Sequence, residues 1–264
     1  MNQVSKQPAL FISHGSPMMG IENSATSAFL KNLGRQLHKP DAIVVFSAHF
    51  DATADIIINS ATKPKTIHDF YGFPEQLYQL QYPAPGAPDL AKQVAERLQS
   101  QGYQPILDEQ HGWDHGVWIP LRLIYPQADI PVLQISINSR LSSQHNYQLG
   151  QALSYLSEQN ILLLGSGGIS HNLREVFASV PDPQRVEKVT AFTQWVKEKL
   201  LAKDIPALLD YQNQAPFSRF NHPSVEHFVP LLSILGAWNE GDKVHQIHQD
   251  VELEILALDA YAFS

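Results

Sequence analysis

Three histidines stand at or shortly after the ends of predicted buried strands, a placement that suits metal binding. His14 and His49 follow apolar runs directly, and His171 follows a third run through the glycine-rich turn 165–168. In open α/β sheets, ligands bind beyond the carboxyl ends of the strands, so neighbouring strands would bring these imidazoles together. A neutral imidazole nitrogen donates a lone pair to a metal at neutral pH. A single histidine beside a turn is more often an ordinary polar residue, but the recurrence at strand ends favours a shared site.

A fourth candidate comes from the segment 221–227. His222 and His227 are five positions apart in the sequence, so a regular helix would not place both on one face. His227 lies within the predicted apolar helix 224–235 and is the better candidate for burial in the shared site. Glu226 is the alternative inward ligand, and the plain interpretation of both residues is an exposed first helical turn, where a carboxylate favours the helix dipole.

A fifth candidate is His115, which stands between Asp114 and Gly116 just before a predicted helix over 117–124. A histidine in this position could serve as an acid–base or substrate-binding group. The structural alternative, in which Asp114 simply caps the helix, is equally favoured.

The connection 62–88 is rich in proline and aromatic residues. A connection of this length inside a compact domain is usually functional or flexible. Its aromatic side chains, including those at 70–73, predict a packed loop that walls a pocket. His68 and Asp69 are predicted to form a turn in this loop, with a place at the pocket entrance as the alternative.

Other catalytic motifs are absent from the chain. There is no GxSxG elbow and no HExxH pair, which disfavours serine hydrolases and zincins. The turn 165–168 lacks the spacing of a nucleotide-binding loop. The remaining histidines are predicted to be surface residues without a role, and they are His38, His111, His145, His245 and His248.

The elements that must position these residues alternate between strands and helices along the whole chain. Continuous apolar runs such as 42–47 are typical of strands covered on both faces. The pattern predicts an α/β fold, a single-domain sandwich over residues 1–264 with a central mixed, mostly parallel sheet flanked by helices.

The composition of the chain limits the classes of binding partner and the cellular compartment that we expect. The 264 residues carry a formal net charge of −8 and no block of lysine and arginine, which argues against nucleic acid or an anionic membrane as the main partner. There is no cysteine, so histidine, aspartate or glutamate must hold any metal. No signal-peptide pattern and no apolar run of membrane-spanning length is present, and we expect a cytoplasmic protein.

Seven short motifs occur in one order along the chain. They are His14-Gly15-Ser16-Pro17, Ser47-Ala48-His49, the run 66–70 (TIHDF), the run 82–86 (YPAPG), Asp114-His115-Gly116, the run 170–174 (SHNLR) and the run 226–231 (EHFVPL). Each motif is weak alone. Together they resemble the class III extradiol ring-cleaving dioxygenases, in the branch called 4,5-DOPA extradiol dioxygenase, from about Pro8 to the C-terminus.

The resemblance implies one divalent metal per chain, bound by His14, His49 and His227. His171 would be a fourth ligand or the acid–base residue, and His115 would contact the substrate or carry a proton. Zinc is the metal expected in the protein as isolated, and Fe(II) is the metal expected for turnover. More distant class III enzymes use two histidines and one glutamate, so the choice between Glu226 and His227 as a ligand stays open at this point.

The activity implied by the resemblance is the opening of a catechol ring, as in a DOPA-like substrate, by dioxygen. The aromatic loop would close over the substrate and exclude water. Two alternatives remain, a zinc-dependent hydrolase on the same scaffold and a non-catalytic metal-binding protein. The sequence leaves open the physiological catechol, the native metal, the cleavage position and the oligomeric state.

Overall fold

A computed structural model describes residues 6–53, 56–239 and 241–264. These residues form one large sheet with helices on its faces. The strands in chain order are β1 (Ala9–Ser13), β2 (Ala42–Asp51), β3 (Ile56–Asn59), β4 (Pro105–Asp108), β5 (Val132–Ile137), β6 (Ile161–Gly167), β7 (Val244–His248), β8 (Val251–Glu252), β9 (Leu256–Ala257) and β10 (Ala260–Phe263). Eight of them form the sheet in the spatial order β4-β3-β5-β2-β6-β1-β10-β7, and β8 pairs with β9 separately.

The centre of the sheet is parallel and its margins are mixed. β1, β6, β2 and β5 pair in parallel, whereas β3 is antiparallel to β5 and β10 is antiparallel to β1. Residues 42–48 of β2 are all buried, because a central parallel strand is covered on both faces. The prediction of an α/β fold with a mixed, mostly parallel sheet is confirmed.

Helices cover both faces of this sheet. They are α1 (Ala25–Gln36), α2 (Glu75–Tyr78), α3 (Pro88–Ser100), α4 (His115–Ile124), α5 (Ser143–Leu153), α6 (Leu173–Val176), α7 (Arg185–Leu201), α8 (Ile205–Leu209), α9 (Tyr211–Gln214), α10 (Ser218–Asn221) and α11 (Val229–Ala237). Short 3-10 turns cover Pro17–Gly20 and Ser154–Gln159. None of the helices in the described parts of the chain is long and apolar enough to cross a membrane.

The end of β6 shows how closely the two layers approach the sheet. Ser166 points to one face, where its hydroxyl donates a hydrogen bond to the carbonyl of Gly116 in α4. Gly167 points to the other face, where an added Cβ would lie 2.2 Å from the carbonyl oxygen of His227. A side chain there would push the His227 turn off the sheet. Gly167 therefore serves the close packing of this turn against the sheet.

The helix predicted over 224–235 begins later than expected, at Val229. Pro230 stands in its first turn, where a missing backbone N–H costs no helical hydrogen bond. The prediction that His227 lies inside the helix is therefore wrong. His227 lies in the preceding turn, and its carbonyl accepts a hydrogen bond from the backbone N–H of Gly168 at 2.9 Å.

Candidate metal centre

His14, His49 and His227 converge at the carboxyl-end edge of the parallel strands. Each offers one ring nitrogen, and the three nitrogens lie within 4.8 Å of one another. The Nε2 atoms of His14 and His49 are 2.9 Å apart. His14 directly follows β1, whereas His49 lies inside β2, two residues before its end. The strands β1 and β2 both pair with β6, and this arrangement brings residues 35 positions apart into contact.

Hydrogen bonds fix which nitrogen of His14 faces this centre. The hydroxyl of Ser166 donates its only hydrogen to the carbonyl of Gly116, at 2.5 Å. Its oxygen is 3.0 Å from His14 Nδ1 and must therefore accept a hydrogen from that nitrogen. In a neutral ring with hydrogen on Nδ1, the lone pair is on Nε2. His14 thus presents a metal-binding lone pair toward His49.

His227 is oriented in the same way by a carboxylate. Its Nδ1 lies 3.1 Å from Glu226 Oε1, which also accepts a hydrogen bond from the hydroxyl of Ser224 at 2.9 Å. An ionised carboxylate only accepts, so the hydrogen of the neutral His227 ring is on Nδ1. The Nε2 atom of His227 is buried and has no hydrogen-bond partner. A buried nitrogen of this kind is costly unless it binds something, and a metal ion would satisfy it.

Burial keeps these imidazoles neutral. It lowers the pKa of His14 and of His227 well below the usual histidine range, and the neighbouring imidazoles lower both further. Burial also lowers the pKa of His49 to about 3, with repulsion from His115 adding to the effect and Asp69 opposing it. Neutral, buried nitrogen donors suit zinc, iron and other first-row divalent metals. The donor set therefore fits a mononuclear metal site.

His115 and Asp69 form a pair at one side of the centre. Asp69 accepts two hydrogen bonds from His115, one from its backbone N–H at 2.9 Å and one from Nδ1 at 3.0 Å. The ring of His115 packs on that of His49, with the centroids 3.9 Å apart. Asp114 stands at the N-cap of α4 but does not cap it with its side chain. Its buried carboxylate accepts hydrogen bonds from Ser47 and Gln134 instead.

His171 lies at the other side of the centre, stacked on His227. It is not one of the three histidines whose ring nitrogens converge, and it falls instead in a neighbouring group with Glu226 and His227. Burial, followed by the nearby His49, lowers the pKa of His171 to about 4. The structure thus places two further imidazoles, those of His115 and His171, beside the centre without making either part of the converging set.

Comparison with known proteins agrees with this geometry. The model of the catalytic LigB subunit of aromatic ring-opening dioxygenase matches residues 8–261. The chain belongs to the LigB family. It is 39% identical to the 4,5-DOPA dioxygenase extradiol of Beta vulgaris over 259 residues, covering 96% of this chain and 95% of that protein. It is 37% identical to the protein of the same name from Escherichia coli K12, covering 96% and 93%.

A solved structure of an uncharacterized Escherichia coli K12 protein has the same fold. It superposes with a TM-score of 0.80 at 32% sequence identity, covering 98% of this chain and all of that one. The resemblance drawn from the seven motifs is confirmed by these matches. With relatives of one activity along nearly its full length, the chain is an extradiol ring-cleaving dioxygenase.

The predicted aromatic wall of this LigB-family site is partly present. Phe70 packs edge-on against His115 with the ring centroids 5.8 Å apart, and it also contacts Phe73. Tyr71 is 90% exposed and points into solvent. His68 turns away from the centre, where its Nε2 donates to the carbonyl of Leu80 at 3.0 Å. Phe70 is therefore the aromatic side chain of this loop that borders the imidazole cluster.

Sequence reasoning missed two supporting residues of the LigB-family centre. The sequence predicts a turn at Asp69, whereas its side chain accepts a hydrogen bond from His115, 46 positions away in the sequence. Ser166 belongs to the glycine-rich turn, to which the sequence pattern gives no site role, yet its side chain orients His14. The two-residue alternation along β6 is the signal that places Ser166 on the His14 face, while no periodic signal marks Asp69.

The remaining histidines divide into exposed and covered residues. His38 and His245 are exposed, as predicted. The surface prediction is wrong for three that are half-buried, namely His111, His145 and His248. Aromatic residues distant in sequence cover two of them, since His111 stacks on Phe50 and His248 stacks on Phe29. His222 is buried outside the centre, where its Nε2 donates to the carbonyl of Ile169 at 2.8 Å.

Proposed function

We propose that this LigB-family enzyme is a metal-dependent dioxygenase that opens the ring of a catechol, with a DOPA-like molecule as the substrate class. The observation that carries the proposal is the convergence of lone-pair nitrogens from His14, His49 and His227. Two further imidazoles, His115 and His171, lie beside this centre and are suited to proton transfer. The relatives named 4,5-DOPA dioxygenase extradiol support the substrate class.

One divalent ion per chain would be held by His14, His49 and His227, with Glu226 acting through His227 instead of as a ligand. Three protein ligands leave positions open for substrate. Fe(II), when bound, would supply the redox chemistry that joins a catechol to dioxygen. Zinc also fits three neutral nitrogen donors, so zinc in the isolated protein is compatible with the same site.

The side chains around the ion would handle the protons of the catechol. His171 is held neutral by burial, so it can accept a proton from one hydroxyl as the substrate binds. His115 stands on the opposite side, beside His49, where it can hydrogen-bond the second hydroxyl. Phe70, edge-on to His115, would provide an apolar wall for the aromatic ring and limit the access of water.

The test is oxygen uptake by metal-free protein that has been reloaded with Fe(II) under anaerobic conditions. We expect uptake with catechols, DOPA included, and a product heavier than the catechol by two oxygen atoms, both labelled when ¹⁸O₂ is supplied. His14→Ala and His49→Ala should lose both the bound metal and the activity. His38→Ala, which removes an exposed histidine, is the matched control and should retain both.

A zinc-dependent hydrolase is the second candidate, because three histidine ligands also occur in zinc sites that activate water. Zinc-loaded protein that hydrolyses esters or amides, with no oxygen uptake in the Fe(II) form, would favour it. Metal binding without either activity would favour a non-catalytic metal-binding protein. A cytoplasmic location, the absence of nucleic-acid and membrane partners, and the single catalytic domain over 1–264 stay predictions from the sequence.

A further inference from the structure

Asp69 is a carboxylate that contacts both His115 and His49. One oxygen, Oδ1, accepts the backbone N–H of His115 at 2.9 Å, and the other, Oδ2, lies 3.0 Å from His115 Nδ1. Oδ2 also lies 3.7 Å from Nδ1 of His49. We propose that Asp69 is a positioning residue that holds His115 in the tautomer with hydrogen on Nδ1, so that Nε2 is the proton acceptor beside the metal centre.

The donors and acceptors around His115 require this tautomer. An ionised carboxylate has no hydrogen to donate, so the hydrogen between Asp69 and His115 belongs to Nδ1. Both oxygens of the carboxylate accept from His115, Oδ1 from the backbone N–H and Oδ2 from the ring. The backbone contact to Oδ1 fixes the plane of the carboxylate. Asp69 therefore sets both the position and the tautomer of the His115 ring.

The position of the ring gives this tautomer a chemical consequence. His115 packs on His49 and stands edge-on to His14, with the latter centroids 5.3 Å apart. The His115 ring, whose lone pair in this tautomer is on Nε2, thus lies beside the rings of two of the three proposed metal ligands. A catechol hydroxyl would pass its proton to Nε2, and the imidazolium so formed would be stabilised by Asp69 until the proton returns to the opened product.

The catalytic part of this inference rests on the proposed function, but the tautomer does not. It is measured by NMR on zinc-loaded protein with ¹⁵N-labelled histidine, in which Nδ1–H and Nε2–H rings give different patterns. The signals of His115 are assigned by their loss in His115→Ala. We expect the Nδ1–H form in the parent protein and a shift toward Nε2–H in Asp69→Asn, whose amide offers only one accepting oxygen.

The second measurement is the activity of the Fe(II)-loaded enzyme. In Asp69→Asn we expect kcat for the catechol to fall by about 10²-fold, with a smaller change in KM and with bound metal unchanged. Asp69→Asn should have no further effect on kcat in a His115→Ala background, because the two residues act as one unit. Asp41→Asn, which changes an exposed carboxylate, is the control and should match the parent.

Four results would overturn the inference. The first is an unchanged Nδ1–H pattern in Asp69→Asn, and the second is additive losses in the double variant. The third is loss of the bound metal in Asp69→Asn, which would make its role structural or ligating. The fourth concerns the number of metal ions bound per chain. If the parent protein binds two ions and Asp69→Asn binds one, His49, Asp69 and His115 form a second metal site. Absent oxygen uptake in the parent would contradict the proposed function, while the NMR result would still decide the tautomer.

Discussion

The rings of His171 and His227 lie parallel, with centroids 3.4 Å apart and planes 6° from each other. The backbone N–H of His171 donates to the carbonyl of Asn221 at 3.0 Å, which anchors the stack. His171 is not in the group formed by His14, His49 and His227 but in a neighbouring one with Glu226 and His227. From this relationship we expect His171 to transfer protons beside a ligand and not to be a fourth ligand.

Replacing His171 should therefore separate metal binding from turnover. We expect His171→Ala to retain one metal ion per chain and to lower kcat by about 10²–10⁴-fold, the usual contribution of a general acid–base group. Metal analysis and oxygen uptake on the same preparation provide the two measurements. His245→Ala, an exposed histidine, should behave as the parent in both. If His171→Ala no longer binds the metal ion, His171 is a ligand and its proposed role in proton transfer is wrong.

Glu226 should act on metal affinity through His227. Its carboxylate accepts the Nδ1 hydrogen of His227, which fixes the tautomer and makes Nε2 a better donor. Glu226→Gln keeps the shape but removes the charge, and we expect the dissociation constant of the metal to rise about 10–100-fold. Competition with a chelator of known affinity measures this change.

Ser224→Ala is the matched control for that experiment. It removes the hydroxyl that donates to Glu226 but leaves the contact between Glu226 and His227. We expect a much smaller loss of affinity than in Glu226→Gln. Equal losses in the two variants would show that the turn, and not the carboxylate charge, controls the site.

The metal-free protein should lose stability as the pH falls. Folding lowers the pKa of His14, His49 and His227, mainly through burial, so below about pH 6.5 the unfolded chain binds more protons than the folded one. Their contribution is present above pH 6.5 and is lost progressively below it. Each group can contribute up to about 1.4 kcal/mol per pH unit in this window.

Urea denaturation of chelator-treated protein at pH 5.5, 6.0 and 7.0 measures this slope. In a double variant, His14→Gln with His227→Gln, the free energy of unfolding should fall less steeply between pH 7.0 and 5.5, because two of the responsible groups are gone. The comparison with the parent removes contributions common to both proteins. Identical slopes would mean that the imidazole cluster does not control the acid response.

The parts of this centre that could be predicted from sequence are those tied to a regular pattern. Apolar runs place His14 and His49 on strands, and the rule that ligands bind beyond the carboxyl ends of strands brings them together. The choice of His227 over His222 rests on placing His227 inside a predicted helix, and that premise is wrong because the helix begins after His227. The structure brings together the same three residues that the motif resemblance implies as ligands.

The supporting contacts could not be predicted in the same way. Asp69 reaches His115 from a proline-rich connection whose path no periodicity specifies. The antiparallel pairing of β10 with β1 joins chain segments about 250 residues apart, and a four-residue strand carries too weak a pattern to reveal it. The ligand positions thus follow from local patterns, whereas their orientation depends on long-range packing.

The buried carboxylate of Asp259 should destabilise the folded protein at neutral pH, relative to a protein with a neutral side chain at this position. Its carboxylate is buried beside β7, where the Gln246 side chain donates to it at 2.5 Å. Burial raises its pKa to about 6, and the hydrogen bond from Gln246 offsets only part of this effect. Between about pH 4 and pH 6 the folded state therefore holds a proton that the unfolded state has released, so the contribution of Asp259 to stability falls as the pH rises.

Asp259→Asn should remove this dependence while keeping an oxygen that accepts from Gln246. We expect the variant to be more stable than the parent by about 1–3 kcal/mol at pH 8, since the pKa is raised by about two units, each equivalent to about 1.4 kcal/mol. The gain should vanish near pH 4, where the parent carboxyl is protonated in the folded state. Urea denaturation of both proteins across this range measures the difference, with Asp89→Asn as the exposed control. A gain that is the same at pH 4 and pH 8 would mean that the substitution acts through packing, because only a buried charge makes the difference between the two proteins depend on pH.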